Sequence, residues 1–413
     1  MGGGERIILL MSKNLLNLKS LFSFSFIWAI TYFLVPEFLF KSSLLWLLVI
    51  GLVYLMQGIF PKSNKLIAYI LFYSTGVLTF FGLIKVLTGI DYGTINSVDY
   101  FWGYSFFSLS LSYLVLNSKL NIKNIIFLLN PIRFFTGPIL FSLSSRLKSV
   151  SLRRISTIST WMILGIFFAY VLAPTLKVFF SLKTSTNAID VLFFSFIYEF
   201  YVYLNFAGLS FLVMGFLRSL GVSCISNFNS PFSATNIIEY WQRWHIGLSR
   251  LCKTLFYEPV KKRFGLYLAV LATFLSSAMW HGITINFIIW GLFHTAAWLI
   301  TYALLKNNYK ILATLFFLPA VIFGRLIFSE SNTEVLFQKI TSLIFFNTSA
   351  PSVLFNHIGL GKMIIGLIVI FVVLAKAIFK IDNHSYKFYR KGWMPIILLI
   401  SILLFVVDDN IVI

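Results

Sequence analysis

SSAMWHGITINFIIWGLFHTAAW, residues 276–298, is the stretch that decides the fold. Trp280-His281-Gly282 interrupts otherwise apolar sequence, with the run Leu266–Met279 before it and Ile283–Leu305 after it. Runs of this kind, repeated along a chain, belong in lipid, where about 20 apolar residues make one crossing. An ionisable side chain there is costly and marks a functional site by default. Histidine titrates near neutral pH, so His281 can take a proton and return it. Gly282 lets the backbone bend or approach a ligand closely. The plainer alternative for His281 is a neutral ring donating to a neighbouring helix carbonyl. His294 lies 13 residues further on and would point to a different side of an unbroken helix, so packing is its simpler account.

Working outward, further apolar runs cover Leu21–Val35, Leu44–Phe60, Leu66–Ile90, Trp102–Leu116, Trp161–Phe180, Val191–Leu217, Leu312–Phe328, Met363–Phe379 and Met394–Val407. Together they make roughly ten crossings. Composition agrees: 59% of the 413 residues are hydrophobic and 11% charged, with a mean hydropathy of +0.90. A soluble domain carries about 25% charged residues. The net charge of +20 sits between the apolar runs, where cytoplasmic loops collect Lys and Arg. It reads as topology and attraction to anionic headgroups, and argues against a nucleic-acid partner. The chain is expected to be one membrane-embedded domain over 1–413, with N-terminal spans in 1–100, a core in 101–305 and C-terminal spans in 306–413.

Two stretches are not simple spans. Leu120–Ser149 contains Pro131, Gly137 and Pro138 and is expected to dip into the membrane and return. Ser223–Gly265 is the most charged part of the chain. If it is helical from about Asn236, Trp241, His245 and Leu248 share one face, and Arg243 and Arg250 another, with Lys253 a turn beyond. Such a helix could hold a phosphate-rich donor at the cytosolic mouth and turn His245 inward. An interfacial helix anchored by Trp and snorkelling Arg is the alternative. For Glu199, Arg325 and Lys376, also within apolar runs, a Glu–Arg or Glu–Lys pair between helices is the simplest account. His357 and His384 fall in loop-like sequence.

Several signals are missing. There is no phosphate-binding GxxxxGK[ST], no GxGxxG and no GxSxG elbow. Cys224 and Cys252 lack a CxxC partner, so no metal site and no disulfide framework is expected. Arg6 stands where a myristoylation signal wants Ser or Thr, and Leu21–Val35 reads as an uncleaved first span.

Taken together, these segments resemble the membrane-bound O-acyltransferase (MBOAT) family. YWQRWHIGLSRLCKTLFYEPV (240–260) is similar to its first histidine motif and WHGITINFIIWGLFHTAAW (280–298) to its second. GYSFFSLSLSYLVL (103–116), NPIRFFTGPILF (130–141), YLNFAGLSFLVMGFLRSLGV (203–222) and, more weakly, LIFSESNTEVLFQKITSLIF (326–345) resemble further family segments in the expected order. Departures are Asn205 for an Asp, Cys252-Lys253 for Arg-Asp, Thr295 for Gly and Ser329 for Arg.

The resemblance implies an all-α polytopic membrane protein, with about eleven helices around a central funnel and re-entrant segments. It implies that His281 is the essential catalytic histidine and His245 its partner. Trp241, Trp244, Trp280 and Asn286 are candidate walls of the site; Arg243 and Arg250 are candidate donor-binding residues. The branch resembled is bacterial alginate O-acetylation, with teichoic-acid D-alanylation close by. The expected reaction moves an acyl group, acetyl foremost, from a cytosolic thioester to a hydroxyl of an envelope polysaccharide or to a partner that completes the transfer. The thioester co-substrate is acetyl-coenzyme A or an acyl carrier protein, with no bound cofactor. An extracytoplasmic acyltransferase or a carrier protein is the expected partner, and the inner membrane the expected location. A polytopic transporter or flippase of an envelope intermediate is the rival from another class.

Overall fold

The computed structural model describes residues 37–60, 62–88, 104–117, 119–121, 124–125, 128–129, 139, 141–143, 152–219, 222–358 and 360–378. The expected spans Leu21–Val35 and Met394–Val407, His384 and most of the Leu120–Ser149 dip lie outside them. The described chain is helical, as a lipid-embedded backbone must be when it satisfies its own polar groups. Its residues fall into two compact units.

The first unit contains α1 (Glu37–Ile59), most of α2 (Asn64–Thr88) and α3 (Tyr104–Leu116). Trp46, Ile50 and Val53 of α1 are buried at helical spacing, while Leu48, Leu52 and Leu55 are exposed. Trp46 stacks on Phe107 of α3 with centroids 4.3 Å apart. Ser112 of α3 donates to the Ala68 carbonyl of α2 at 3.1 Å, a polar tie typical of helices without a hydrophobic drive to associate.

The second unit takes in Tyr73–Leu83 of α2 and everything from residue 136 onward. It contains α4 (Leu152–Ile166), α5 (Ala188–Ser219), α6 (Ile237–Arg243), α7 (Ile246–Cys252), α8 (Glu258–Phe264), α9 (Leu266–His281), α10 (Ile285–Lys306), α11 (Lys310–Ser329), α12 (Thr333–Ile344) and α13 (Leu360–Ile378). A short antiparallel ribbon pairs β1 (Phe141–Leu143) with β2 (Val222–Cys224), in register Ser142↔Ser223. Among the described residues four stretches are long and apolar enough to cross a membrane: Ile158–Thr175, Ala188–Arg218, Ile285–Lys306 and Lys310–Ser329.

The core is built on α5, whose Phe194, Ile197, Phe200, Tyr203, Leu204 and Phe211 are all buried. It packs on α4 through small residues: a Cβ on Gly208 would stand 2.6 Å from the Ala169 nitrogen, and one on Gly165 2.8 Å from the Gly208 carbonyl oxygen. Close backbone approach of this kind is how membrane helices gain van der Waals contact. Along the expected span Trp161–Phe180, which is helical and apolar enough to cross over Ile158–Thr175, the winding changes. After Ile166 the chain widens into a π-turn, Phe167–Leu172, then tightens into a 3₁₀ segment, Lys177–Thr184. Pro174 is the reason, since it removes one backbone donor and crowds the preceding turn. Thr175 repairs part of the loss by donating its hydroxyl to the Leu172 carbonyl at 2.7 Å. Helix α12 was not among the expected elements; Asn332 caps it, accepting from the nitrogens of Glu334 and Val335.

Candidate active site

The charged insertion does begin a helix at the expected place. Asn236 caps α6 by accepting from the Glu239 nitrogen at 3.0 Å. The helix does not continue to His245. It stops at Arg243, and α7 restarts at Ile246. The cause is a loop from elsewhere: the Asn229 nitrogen donates to the Arg243 carbonyl at 3.0 Å, and the Ile246 nitrogen to the Asn227 carbonyl at 2.9 Å. Ser249 closes the gap by reaching the Trp241 and Trp244 carbonyls at 3.2 and 3.3 Å. His245 sits at the break with φ 42°, in the left-handed region that a residue with a Cβ adopts at a cost. Such strain is held only where the surroundings over-determine it, commonly at functional sites.

The shared faces expected of one continuous helix therefore do not form. Arg243 stands apart from the cavity described below. Its guanidinium pairs with Glu239 and donates to the Ser233 hydroxyl at 2.6 Å. Burial pushes the Glu239 carboxyl up, but the Thr235 and Arg243 hydrogen bonds outweigh it and hold the group below its ordinary value. Arg250 does line that cavity, as does Lys253.

Helix α9 ends at His281, and Thr284 caps α10 by accepting from the Phe287 nitrogen. This interruption frees the two histidines of the stretch from the geometry of one helix. His281, His245 and His294 all line a single cavity of about 660 Å³. The volume lies within the range of small-molecule sites, about 300–1,000 Å³. Trp241 and Trp244 also line it. Trp280 is not on its surface; its ring packs between the two motif histidines, 4.5 Å from His281 and 6.1 Å from His245 by centroids. The His281 ring lies edge-on to Phe328 at 4.9 Å.

Asn286 also stands apart from the cavity. Its amide donates to the Glu330 carbonyl at 2.6 Å and its oxygen accepts from the Thr333 hydroxyl at 2.8 Å. It ties α10 to the α11–α12 turn. A buried amide with both ends satisfied is a structural latch.

Other residues of the wall were not singled out for the site. Glu199 and Arg325 pair as expected, with Arg325 Nε donating to Glu199 Oε2 at 2.6 Å, but the pair also faces the cavity. Tyr240 donates to Glu199 Oε1 at 2.6 Å. Ser329, where the resembling motif has arginine, lies one helical turn beyond Arg325. His294 is 2% exposed, and Gly324 makes room for its ring. Among the described residues His294 Nδ1 and Trp241 Nε1 have no hydrogen-bond partner. Buried polar atoms left so are rare, and at a cavity they are points where a ligand can bind. Lys376 and His357 have no described side-chain surroundings. Among the described residues no cluster of three or more His, Cys, Asp or Glu could hold a metal ion.

Comparison with known proteins bears on the same region. Residues 100–304 match the family model described as MBOAT, membrane-bound O-acyltransferase family. The chain is 37% identical over 122 residues to a "Peptidoglycan O-acetyltransferase" of Helicobacter pylori, covering 29% of this chain and 23% of that protein. It is 29% identical over 220 residues to a "Probable alginate O-acetylase" of Pseudomonas aeruginosa, covering 51% and 42%. It is 26% identical over 146 residues to a "Teichoic acid D-alanyltransferase" of Bacillus subtilis, covering 32% and 37%. The chain thus spans less than half the length of these curated relatives.

Proposed function

This chain belongs to the membrane-bound O-acyltransferase family through its residues 100–304, and we propose that it transfers an acyl group, acetyl foremost, from a thioester to a hydroxyl of a cell-envelope polysaccharide. The observation that carries this reading is the meeting of His281, the last residue of α9, and His245, at the break before α7, on the wall of one cavity. Acyl transfer to an alcohol needs a base for the hydroxyl proton, a route to the thioester carbonyl and exclusion of water. His281 is the base, a role worth about 10²–10⁴-fold in rate. His245 orients the donor or the accepting hydroxyl. Trp241, Trp244 and Phe328 line part of the remaining wall, and exclusion of water there by bound substrate would strengthen charge interactions inside it.

The donor enters from the cytosolic side, where exposed Arg250 and Lys253 border the cavity and suit the phosphates of coenzyme A or of a carrier's phosphopantetheine. The chain lies in the inner membrane and hands the acyl group to an extracytoplasmic acyltransferase partner or directly to the polysaccharide. The similarity to a D-alanyltransferase supports a second reading, in which a carrier protein supplies D-alanine for teichoic acid. The test is His281→Ala in purified full-length protein, with acetyl-coenzyme A and a D-alanyl carrier as alternative donors. We expect acetyl transfer to be lost while the protein still inserts and folds; transfer at the unaltered rate removes the mechanism.

A further inference from the structure

We propose that Arg325 is the oxyanion-holding residue of this cavity, the group that takes the thioester carbonyl oxygen as that oxygen gains negative charge. The inference rests on the acyl-transfer reading above. Arg325 is 8% exposed, and it lines the cavity. Its orientation is fixed from three sides. Nε donates to Glu199 Oε2, and the Tyr240 hydroxyl holds the other carboxylate oxygen, each at 2.6 Å. The guanidinium carbon lies 5.5 Å from the Trp244 ring centroid and 5.1 Å from that of Phe328.

What this arrangement leaves over is the argument. Among the described residues the guanidinium's hydrogen bond to Glu199 uses Nε alone, and the Tyr240 hydroxyl lies beside the same cation. Neither terminal nitrogen is sealed away without a partner, and the residue stands on the cavity wall. A buried ion pair serving only to join α5 to α11 would need every donor satisfied by protein to offset its desolvation. Here a permanent cation with a planar fork of donors borders the space where substrate must lie. His281 borders the same patch, because its ring and the guanidinium both pack on Phe328 within about 5 Å.

In the step this implies, the acceptor hydroxyl oxygen bonds to the thioester carbonyl carbon while His281 takes its proton. The carbonyl π electrons move to oxygen, and Arg325 donates to that oxyanion. The carbonyl then re-forms, the carbon–sulfur bond breaks, and the thiolate leaves and recovers the proton from His281. The products are an ester and a free thiol. Glu199 and Tyr240 are positioning residues, acting through Arg325. Preorganised donors of this kind act strongly because the site is dry and they need not reorient.

The test uses full-length protein in nanodiscs, with radiolabelled acetyl-coenzyme A as donor and peptidoglycan, alginate and teichoic acid as acceptors. Because Arg325→Ala alone would strand the Glu199 charge, the informative variant is Arg325→Met with Glu199→Gln, which removes the pair as a neutral unit. We expect kcat to fall about 10²–10³-fold, with the donor KM changed less than about threefold. A purely structural pair predicts kcat within about threefold of the unaltered protein, and that result overturns the inference. Should the double variant fail to fold, Arg325→Lys keeps the ion pair but loses the fork. A fall in kcat of at least about tenfold is then expected, and an unchanged kcat is the refutation. Absence of transfer by the unaltered chain would remove the enzymatic reading itself, whereas transfer that needs His281 but not Arg325 removes only this assignment.

Discussion

Replacing Gly324 by alanine should disturb the cavity wall in a way that can be traced to one ring. A Cβ at this position would collide with His294 Nε2 and stand 2.6 Å from its Cε1. Four aromatic rings restrict where the imidazole can move, and its free side is the cavity. Trp290 lies 4.7 Å from the imidazole, Trp241 4.9 Å, Phe293 5.3 Å and Phe274 5.9 Å, centroid to centroid. Overpacking costs about 1–3 kcal/mol, and because the ring can give toward the cavity, Gly324→Ala falls within that range rather than above it. Unfolding of the purified protein in mixed micelles, followed by tryptophan fluorescence, measures it. The same change made in a His294→Ala background should be far milder, because the obstructing ring is gone. A coupling of at least about 1 kcal/mol is expected between the two positions. Additivity within about 0.5 kcal/mol would show that the collision is absorbed elsewhere and would refute the reasoning.

Two further predictions follow from local geometry. His245 holds a φ of 42°, so His245→Gly should be more stable than His245→Ala by about 1 kcal/mol, while both lose acyl transfer; equal stabilities in the same unfolding assay would mean that the left-handed backbone is not strained. Asn286→Ala removes two hydrogen bonds at the α11–α12 turn and should cost about 1–3 kcal/mol of stability. The kcat per folded molecule should stay unchanged, and a loss of turnover in fully folded protein would return Asn286 to the cavity wall.

The membrane setting was legible from composition alone, and the helices α1, α2, α3, α5, α9, α10, α11 and α13 follow apolar runs visible in the sequence. The pairing of Glu199 with Arg325 was also legible, because two opposite charges in lipid have few other ways to be stable. Helix α12 was less visible: its apolar residues alternate with Glu334, Gln338 and Lys339, and its start depends on the Asn332 cap. The motif histidines stood out as ionisable groups within or beside apolar runs.

What sequence could not provide was which residues share the cavity. Helical spacing assumes an unbroken helix, and two breaks set that assumption aside. One lies at Trp244–His245, imposed by backbone hydrogen bonds from Asn227 and Asn229; the other follows His281. These breaks bring His245, His281 and His294 to one wall, while nearby Glu239 and Ser233 hold Arg243 off it and the distant Glu330 carbonyl holds Asn286. The amino-acid sequence by itself determined the solvent, the helices and the reactive residue types, because those depend on local polarity. Tertiary structure decided which of those residues meet, because that depends on hydrogen bonds and packing between segments far apart in the chain.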